Sequence, residues 1–391
     1  MQMKHQRSAC ALALASAMAW GGLTAHADHG RDDRDDRHDR RARKVFVIAL
    51  ENHNWTQPAT TTSPEPIFQN PAAPFINSLV DGTSGISEQV AYATSYLNAA
   101  PGVHPSEPNY IWAEAGTNFG VFNDNNPYHA DCSPDTVQTT DLHLSAFLTK
   151  AHRSWKSYQE DTDVDAANVV LPASAWTVPL FSKGGVFTGT GLNAYDYSAQ
   201  FNYASKHNPM VFFTDTNGGC DTTTANPLRT QYAPLQQLAL DLQSNRVADY
   251  NWISPDQYND MHTSLSDGYG KFPSSDDGSR IAQADNFLAR IVPLIMASDA
   301  YKDHGVIVLW WDESERGDTS EFTLPFIVIS RDAHANVGGK PFASSVQLSH
   351  SSTLRTMQEI FDVDPWSGYP WLGDAANATD LASLFKPGAI K

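Results

Sequence analysis

The chain has 391 residues, of which 41% are hydrophobic and 10 are tryptophan, enough for one large α/β domain or two ordinary ones. Its formal net charge of −18 argues against a nucleic-acid partner, because such a partner requires a basic face. A phosphorylated substrate would also be repelled by this general field. Local cations would have to attract it, and bound metal ions could supply them.

The first 27 residues have the features of an export signal. Lys4 and Arg7 form a basic start, residues 11–20 form an apolar core too short to span a bilayer, and Ala25 and Ala27 mark a cleavage site. The signal predicts an exported protein, either periplasmic or secreted. No later segment has the length and apolar content of a transmembrane anchor, so we expect none.

Residues 28–43 are a low-complexity run of Asp, Arg and His, which predicts a disordered linker. Its histidines, His29 and His38, could bind a metal weakly, but a solvated linker is the favoured interpretation. No internal repeat and no second linker follow, so residues 44–391 are predicted to form a single domain.

Apolar strand patterns alternate with helical patterns along that domain. We predict strands or extended segments at residues 45–50, 84–93, 210–214, 250–254, 305–311 and 324–329. We predict helices at residues 75–80, 142–158, 234–244, 280–297 and 351–361, with further helices starting within 102–116 and ending at 206–209. This alternation indicates an α/β fold with a mostly parallel sheet covered on both faces.

Three cysteines occur, and Cys10 is lost with the signal. Cys132 and Cys220 remain as an even pair in an oxidising compartment, which predicts a disulfide between them. A metal site is the weaker alternative, because the two residues are far apart in sequence and lack CxxC spacing.

Polar clusters follow the ends of three predicted strands, and a histidine begins a late helix. The residues are Glu51 and Asn52 after 45–50, Asp256, Asp260 and His262 after 250–254, Asp312 and Glu313 after 305–311, and His350. Carboxylate oxygens with imidazole nitrogens suit Zn, Mn or Fe better than Ca or Mg. Each cluster alone is also explained as a polar turn or a helix cap. Their coincidence favours a metal site, since like charges that meet need a cation.

Ser106 is the candidate nucleophile. It precedes Glu107 and Pro108, a pattern typical of a helix start with serine as the N-cap, so plain capping is the alternative. The same position suits phosphate chemistry, because a helix N-terminus favours an anion. A neighbouring metal would lower the pKa of the hydroxyl group.

Seven motifs in this order resemble the bacterial secreted phosphoesterase family of secreted acid phosphatases and phospholipases C: VFVIALENHN, HPSEPNYI, WKSYQED, SPDQYNDMH, VLWWDESE, LPFIVIS and LSHSSTLRTM. The resemblance runs from about residue 44 to 385 and is nearest to the short secreted acid phosphatases. It implies the fold of the alkaline-phosphatase superfamily, a large mixed, mostly parallel sheet between helices.

The resemblance also implies one or two divalent metal ions, Zn, Mn or similar. The implied ligands are Glu51, Asn52, Asp312 and Glu313 for one ion, and Asp260, His262 and His350 for the other. The superfamily's usual Asp-x-x-x-His spacing is Asp260-x-His262 here, so Asp256 could replace Asp260, or Asn259 could take part.

By the same resemblance Ser106 lies between the metals, Asn109 donates to a phosphoryl oxygen, and His104 acts as an acid or holds the phosphate. These roles predict hydrolysis of phosphate monoesters in two steps through a phosphoserine. The substrate would be a phosphorylated small molecule or a phospholipid head group. Phospholipase C or phosphodiesterase activity is the first alternative, and an exported metal-binding protein without turnover is the second.

Overall fold

A computed structural model describes residues 42–186, 189–336 and 338–390 of the chain. The predicted signal peptide and residues 28–41 of the predicted linker lie outside these residues, as do Cys10, His29 and His38.

Five of the predicted extended segments, 45–50, 84–93, 250–254, 305–311 and 324–329, contain or overlap strands of the structure. The strands are β1 (Lys44–Leu50), β2 (Val90–Ala93), β3 (Tyr96–Leu97), β4 (Trp155–Gln159), β5 (Lys183–Val186), β6 (Gln200–Tyr203), β7 (Tyr232–Pro234), β8 (Tyr250–Ser254), β9 (Gly305–Trp311), β10 (Phe326–Ser330), β11 (Phe342–Ser344) and β12 (Leu348–Ser349). The α-helices are α1 (Pro74–Asp81), α2 (Ser106–Ala115), α3 (Leu144–Lys150), α4 (Thr214–Asn217), α5 (Gln237–Gln243), α6 (Asp277–Met296), α7 (Asp299–Lys302) and α8 (His350–Ile360).

Eight strands form one sheet in the order β11-β2-β10-β9-β1-β8-β4-β7. Only β10 runs antiparallel to its neighbours, β9 and β2, and the other five pairings in this sheet are parallel. Two small additional sheets pair β12 with β3 and β5 with β6. The predicted α/β class with a large, mostly parallel mixed sheet is therefore confirmed.

The sheet is covered on both faces, as β1 shows: six of its seven residues are buried. Helices α1, α5 and α7 each pack against α6, and α2, α3, α4 and α8 form a second group. Helix α6 begins at the N-cap Asp276, whose side chain accepts from the Gly278 amide, and buries Phe287 and Ile291 as its periodicity predicts. Among the described residues no helix combines the length and apolarity needed to cross a bilayer.

Two predicted elements are wrong. The predicted helix 142–158 ends at Lys150, and the chain turns through His152, which has a φ of 56°, before entering β4. The predicted strand 210–214 is helical instead, as a 3-10 turn at Pro209–Phe212 followed by α4. Burial of an apolar run does not distinguish a strand from a short helix, and β4 is defined by its partners β7 and β8 rather than by its own pattern.

Two further helices differ in extent. The helix predicted to end at 206–209 is only a 3-10 turn at Ser205–His207. The helix predicted at 234–244 begins at Gln237, because the preceding residues pair with β4 as β7.

Candidate active site

The strand β1 lies between β8 and β9 and runs parallel to both, so the carboxyl ends of the three strands meet at one edge of the sheet. Backbone hydrogen bonds continue past the strand ends. The Glu51 amide donates to the Asp260 carbonyl at 2.8 Å, and the Asp312 amide donates to the Leu50 carbonyl at 3.1 Å. Residues that follow three separate strands therefore converge at this edge.

Glu51 lies at the centre of the convergence and is completely buried. Its Oε2 accepts a hydrogen bond from Ser106 Oγ at 2.8 Å, and its Oε1 accepts one from Tyr110 Oη. His207 Nε2 is 3.3 Å from the same Oε1. Burial acts to raise the pKa of Glu51, but His207 and Lys206 outweigh it and lower this pKa to about 2. Glu51 is therefore an ionised carboxylate that faces the candidate nucleophile.

Ser106 is the first residue of α2 and is also buried. Pro105 occupies the N-cap position, and the structure shows no side-chain cap at this helix, so Ser106 does not cap it as expected. Instead the hydroxyl group points toward the strand ends, with its Oγ 2.8 Å from Glu51 Oε2 and 3.5 Å from Glu313 Oε1. The Ser106 hydroxyl group therefore contacts the acidic site and does not cap the helix.

The Asn52 side chain lies among these carboxylates. One terminal atom of its amide is 2.9 Å from Glu51 Oε2, 3.1 Å from each carboxylate oxygen of Asp312, and 3.4 Å from Ser106 Oγ. An NH2 group in this position would donate to the carboxylates. An amide oxygen there would instead complete a shell of oxygens, and only a cation could hold such a shell together. The hydrogen bonds favour the NH2 group in this position, and the shell of oxygens that would fit a divalent ion forms only with the amide in the other orientation.

Asp312 and Glu313 share this acidic environment. Burial and the nearby charges of Glu51 and Glu313 raise the pKa of Asp312 well above its usual range. Burial raises the pKa of Glu313 to about 7, against the lowering effect of His104. Carboxylates placed this close together ionise jointly only when a cation compensates them.

His104 bridges the acidic site and the surface. Its Nδ1 forms a short hydrogen bond with Glu313, and its Nε2 lies 2.9 Å from Asp318 Oδ1. The hydrogen bond with Glu313 outweighs burial and raises the pKa of His104 to about 9. Both ring nitrogens are engaged, so His104 supplies a fixed positive charge next to Glu313.

His207 was not predicted as a site residue, yet it belongs to the group that could hold a metal ion: Glu51, His207 and Asp260. Its ring nitrogens lie 3.3 Å from Glu51 Oε1 and 3.0 Å from Asp260 Oδ2. Burial acts to lower the pKa of His207, but the two carboxylates outweigh it and raise this pKa to about 9. The ring also stacks on Tyr110 at 5.1 Å. No local pattern distinguished His207, which follows no long strand.

Lys206 was also not predicted. Its side chain is 12% exposed and its Nζ lies 3.0 Å from Asp124 Oδ2. It contributes to the low pKa of Glu51, so it brings a positive charge to the buried side of the site. In a chain with a net charge of −18, such a local cation favours a phosphate group.

The second set of predicted ligands is only partly assembled. Asp260 reaches His207, whereas His262 bonds Thr263 Oγ1 at 2.9 Å through its Nδ1 and lies 6.0 Å from His207 between ring centroids. His350 does not join them, because its Nε2 is hydrogen bonded to the Asp312 carbonyl group. Burial lowers the pKa of both His262 and His350 to about 4, so both rings are neutral near pH 7.

The alternative ligands Asp256 and Asn259 point elsewhere. They form a buried acidic cluster with Glu160, Asp161 and Asp196. Asn259 Nδ2 lies 3.0 Å from Glu160 Oε1, and the Asp256 amide donates to Glu160 Oε2 at 2.9 Å. Burial raises the pKa of Asp161 to about 8 and that of Asp256 well above its usual range. Of the two aspartates weighed as ligands, only Asp260 faces Glu51.

Asn109 differs from its expected role. Its side-chain amide donates to the carbonyl groups of Val103 at 3.0 Å and Pro105 at 3.3 Å. In this geometry Asn109 holds the loop that precedes Ser106, and its NH2 group is not directed at a phosphoryl group.

The two cysteines lie away from this site, in loops that they connect. A disulfide joins Cys132 and Cys220, whose Cα atoms are 5.5 Å apart and which are 88 residues apart in sequence. The bond ties the loop after α2 to the loop after α4.

Comparison with known proteins identifies the family of this chain. The model of the phosphoesterase family matches residues 24–364. The chain is 26% identical over 319 residues to a phosphatidylinositol-3-phosphatase of Mycobacterium tuberculosis, covering 82% of this chain and 78% of that protein. It is 25% identical over 246 residues to a phosphate-repressible acid phosphatase of Penicillium chrysogenum, covering 63% of this chain but only 45% of the fungal protein.

Solved structures with a related arrangement have low sequence identity. One is a protein in the alkaline phosphatase superfamily from Vibrio parahaemolyticus, with 10% identity and a TM-score of 0.43, covering 82% of this chain and 66% of that chain. Another is a sulfatase from Pseudoalteromonas sp., with 11% identity and a TM-score of 0.45, covering 90% and 75%. The predicted family rests on the sequence matches, which extend over most of the chain. The chain belongs to the phosphoesterase family and is a hydrolase that acts on phosphoric ester bonds.

Proposed function

We propose that the protein is an exported, metal-dependent phosphomonoesterase that works through a phosphoserine at Ser106. One observation carries the proposal: a buried serine hydroxyl at the start of a helix lies 2.8 Å from an ionised carboxylate at the end of the central strand. Neither capping nor packing explains this placement. A hydroxyl group at a helix N-terminus, next to a carboxylate and a cation, is suited to attack phosphorus.

The metal ion would be held by the oxygens around Ser106, which come from Glu51, Asn52, Asp312 and Glu313. These oxygen ligands suit Mn or Mg, whereas Glu51 with His207 and Asp260 suits Mn or Zn, so Mn satisfies both groups. When bound, the ion would lower the pKa of the serine hydroxyl and neutralise charge on the phosphoryl oxygens.

The residues of the chain account for the remaining steps. Glu51 accepts the hydrogen bond of Ser106 and thereby orients a lone pair of Oγ toward the substrate. Oγ attacks phosphorus in line, the P–O bond to the leaving group breaks, the proton of the Ser106 hydroxyl ends on the leaving oxygen to give the alcohol, and a phosphoserine forms. Lys206 and His104 each bring a positive charge to the site, which favours the charged phosphoryl group. Water then attacks phosphorus, releases phosphate and restores the Ser106 hydroxyl group.

The relatives bear on the substrate. The mycobacterial protein is named for a phosphatidylinositol phosphate and the fungal proteins for acid phosphatase activity. Both kinds of name describe the hydrolysis of a phosphate monoester. We therefore take a phosphate monoester as the substrate, with a soluble or a lipid alcohol as the leaving group.

The test compares Ser106→Ala with Ser145→Ala. Ser145 is a matched control because it is also buried and its Oγ donates to a buried glutamate, Glu114, at 3.0 Å, outside the site. With 4-nitrophenyl phosphate and Mn, Ser106→Ala should lose more than a thousandfold in kcat, while Ser145→Ala keeps its activity. Mass spectrometry of acid-quenched wild type should find phosphate on the peptide containing Ser106. Full activity of Ser106→Ala contradicts the proposal.

Three further measurements test the finer parts of the proposal. Dialysis against a chelator should abolish activity, and added Mn should restore it. Release of phosphocholine from phosphatidylcholine, faster than monoester cleavage, would favour the phospholipase C alternative instead. To test export, the full chain is expressed, and the protein found outside the cytoplasm should lack residues 1–27. Protein that stays in the cytoplasm with these residues attached would refute export.

A further inference from the structure

A cleft of about 220 Å³ opens next to the Ser106 site, and Asn52 and His262 are among the residues that line it. Asn52 connects the two regions, because its amide lies 3.4 Å from Ser106 Oγ. A phosphoryl group bound at Ser106 would therefore have its ester oxygen and leaving alcohol next to this cleft. Arg280, Glu315 and Arg316 and the loop at residues 63–64 also line the cleft.

The cleft carries two guanidinium groups and one carboxylate in a chain whose net charge is −18. Two contacts hold the Arg280 side chain in place. Its Nη1 donates to the His262 carbonyl at 3.3 Å, and its Nη2 forms a short ion pair with Asp277. Asp277 also accepts from the Glu65 amide at 2.6 Å and lies 3.2 Å from His53 Nε2, so this carboxylate is shared among three polar partners.

Arg316 is the less constrained of the two. Its Nε donates to the Ser63 carbonyl at 3.2 Å, and its side chain forms no salt bridge with the part of the chain that the structure describes. An arginine has five N–H donors, of which these contacts use one in Arg316 and two in Arg280. The remaining donors can engage an oxyanion in a planar, bidentate arrangement.

We propose that Arg280 and Arg316 form a subsite for an anionic leaving group, so that the preferred substrates are phosphate monoesters of alcohols that carry a second phosphate or a carboxylate. This proposal rests on the phosphomonoesterase function proposed above. The size of the cleft suits a small polar group. Glu315 also lines the cleft and would repel an anion, so its single carboxylate partly offsets the two guanidinium groups.

The test measures kcat/KM for pairs of substrates that differ in one anionic group of the leaving alcohol. The pairs are glycerol 3-phosphate with 3-phosphoglycerate, and fructose 6-phosphate with fructose 1,6-bisphosphate. The first pair adds a carboxylate and the second a phosphate, so the two sources of negative charge are distinguished. Wild type should have the higher kcat/KM for the substrate with the charged leaving alcohol in at least one pair. Arg316→Gln should reduce this preference ratio about tenfold, which matches one charge-assisted hydrogen bond.

Arg331→Gln is the matched control, since Arg331 follows β10 at the opposite edge of the sheet, where its Nη1 donates to the Lys302 carbonyl. Its preference ratio should equal that of wild type. Glu315→Gln should raise the ratio, because it removes the one carboxylate of the cleft. Arg280→Lys, which keeps the charge but loses the planar donor group, should lower the ratio even if Arg316→Gln folds poorly.

An unchanged ratio in both arginine variants overturns the subsite, as does a wild type that prefers the uncharged leaving group in both pairs. A wild type that cleaves none of the four substrates and no 4-nitrophenyl phosphate overturns the proposed function, and the subsite with it. If Ser106→Ala loses activity but the preference ratio is unchanged in the arginine variants, the proposed phosphatase function is supported and only the subsite is refuted.

Discussion

Replacement of Glu51 by glutamine is the sharpest test of the acidic site. The change keeps the shape of the side chain and removes its charge. Glu51 is completely buried, accepts the Ser106 hydroxyl at 2.8 Å, and lies 3.3 Å from His207. Its surroundings lower its pKa from 4.5 to about 2, so they favour the carboxylate over the neutral form by about 3 kcal/mol. That energy corresponds to roughly two orders of magnitude in a rate or binding constant.

We therefore expect Glu51→Gln to lose at least about a hundredfold in kcat/KM and most of its bound metal. Activity is measured with 4-nitrophenyl phosphate, and metal content is measured by inductively coupled plasma mass spectrometry after gel filtration. Asn52→Ala should retain more metal than Glu51→Gln, because it removes one neutral ligand and leaves the carboxylates in place.

Glu114→Gln controls for the loss of a buried carboxylate. Glu114 is equally buried, and it accepts hydrogen bonds from Ser145 and His143, a serine and a histidine like the partners of Glu51. This variant should lose stability but keep its metal and activity. If Glu51→Gln retained full metal content and more than half of the wild-type kcat/KM, the assignment of Glu51 as the central ligand would be refuted.

Three further predictions concern a hydrogen bond of the site, the acidic cluster and the disulfide. Tyr110→Phe removes one hydrogen bond to Glu51 without changing the packing, so kcat/KM should fall only several-fold, and a loss above a hundredfold would contradict this limited role. Asp161 has a folded pKa raised to about 8, so its stabilising contribution is complete below pH 4 and is lost as the pH rises through about 8. In urea titrations within that window, the stability of wild type should fall by about 1.4 kcal/mol per pH unit more than that of Asp161→Asn, which lacks this one titrating group. Loss of the Cys132–Cys220 bond in a double serine variant should cost about 2 to 5 kcal/mol, seen as a lower melting temperature that reductant does not lower further.

The sequence by itself located the strands that precede the acidic residues of the site. The runs 45–50 and 305–311 are apolar over their whole length, and adjacent β-branched and aromatic residues define a buried strand without help from distant contacts. Polar residues directly after such a run must lie at the strand end. The local pattern alone therefore places Glu51, Asp312 and Glu313 in the site, together with the start of α2 at Ser106.

Only the tertiary structure decided which of the remaining polar residues join them. Asp256 and Asp260 are four residues apart in one loop, yet one belongs to the acidic cluster and the other faces His207. His207 ends a short 3-10 turn, and its contact with Glu51 spans more than 150 residues of sequence. His350 fits the motif order but bonds a backbone carbonyl group. Local patterns specify where a strand or helix ends, whereas the direction of a side chain in a loop depends on contacts that fold distant segments together.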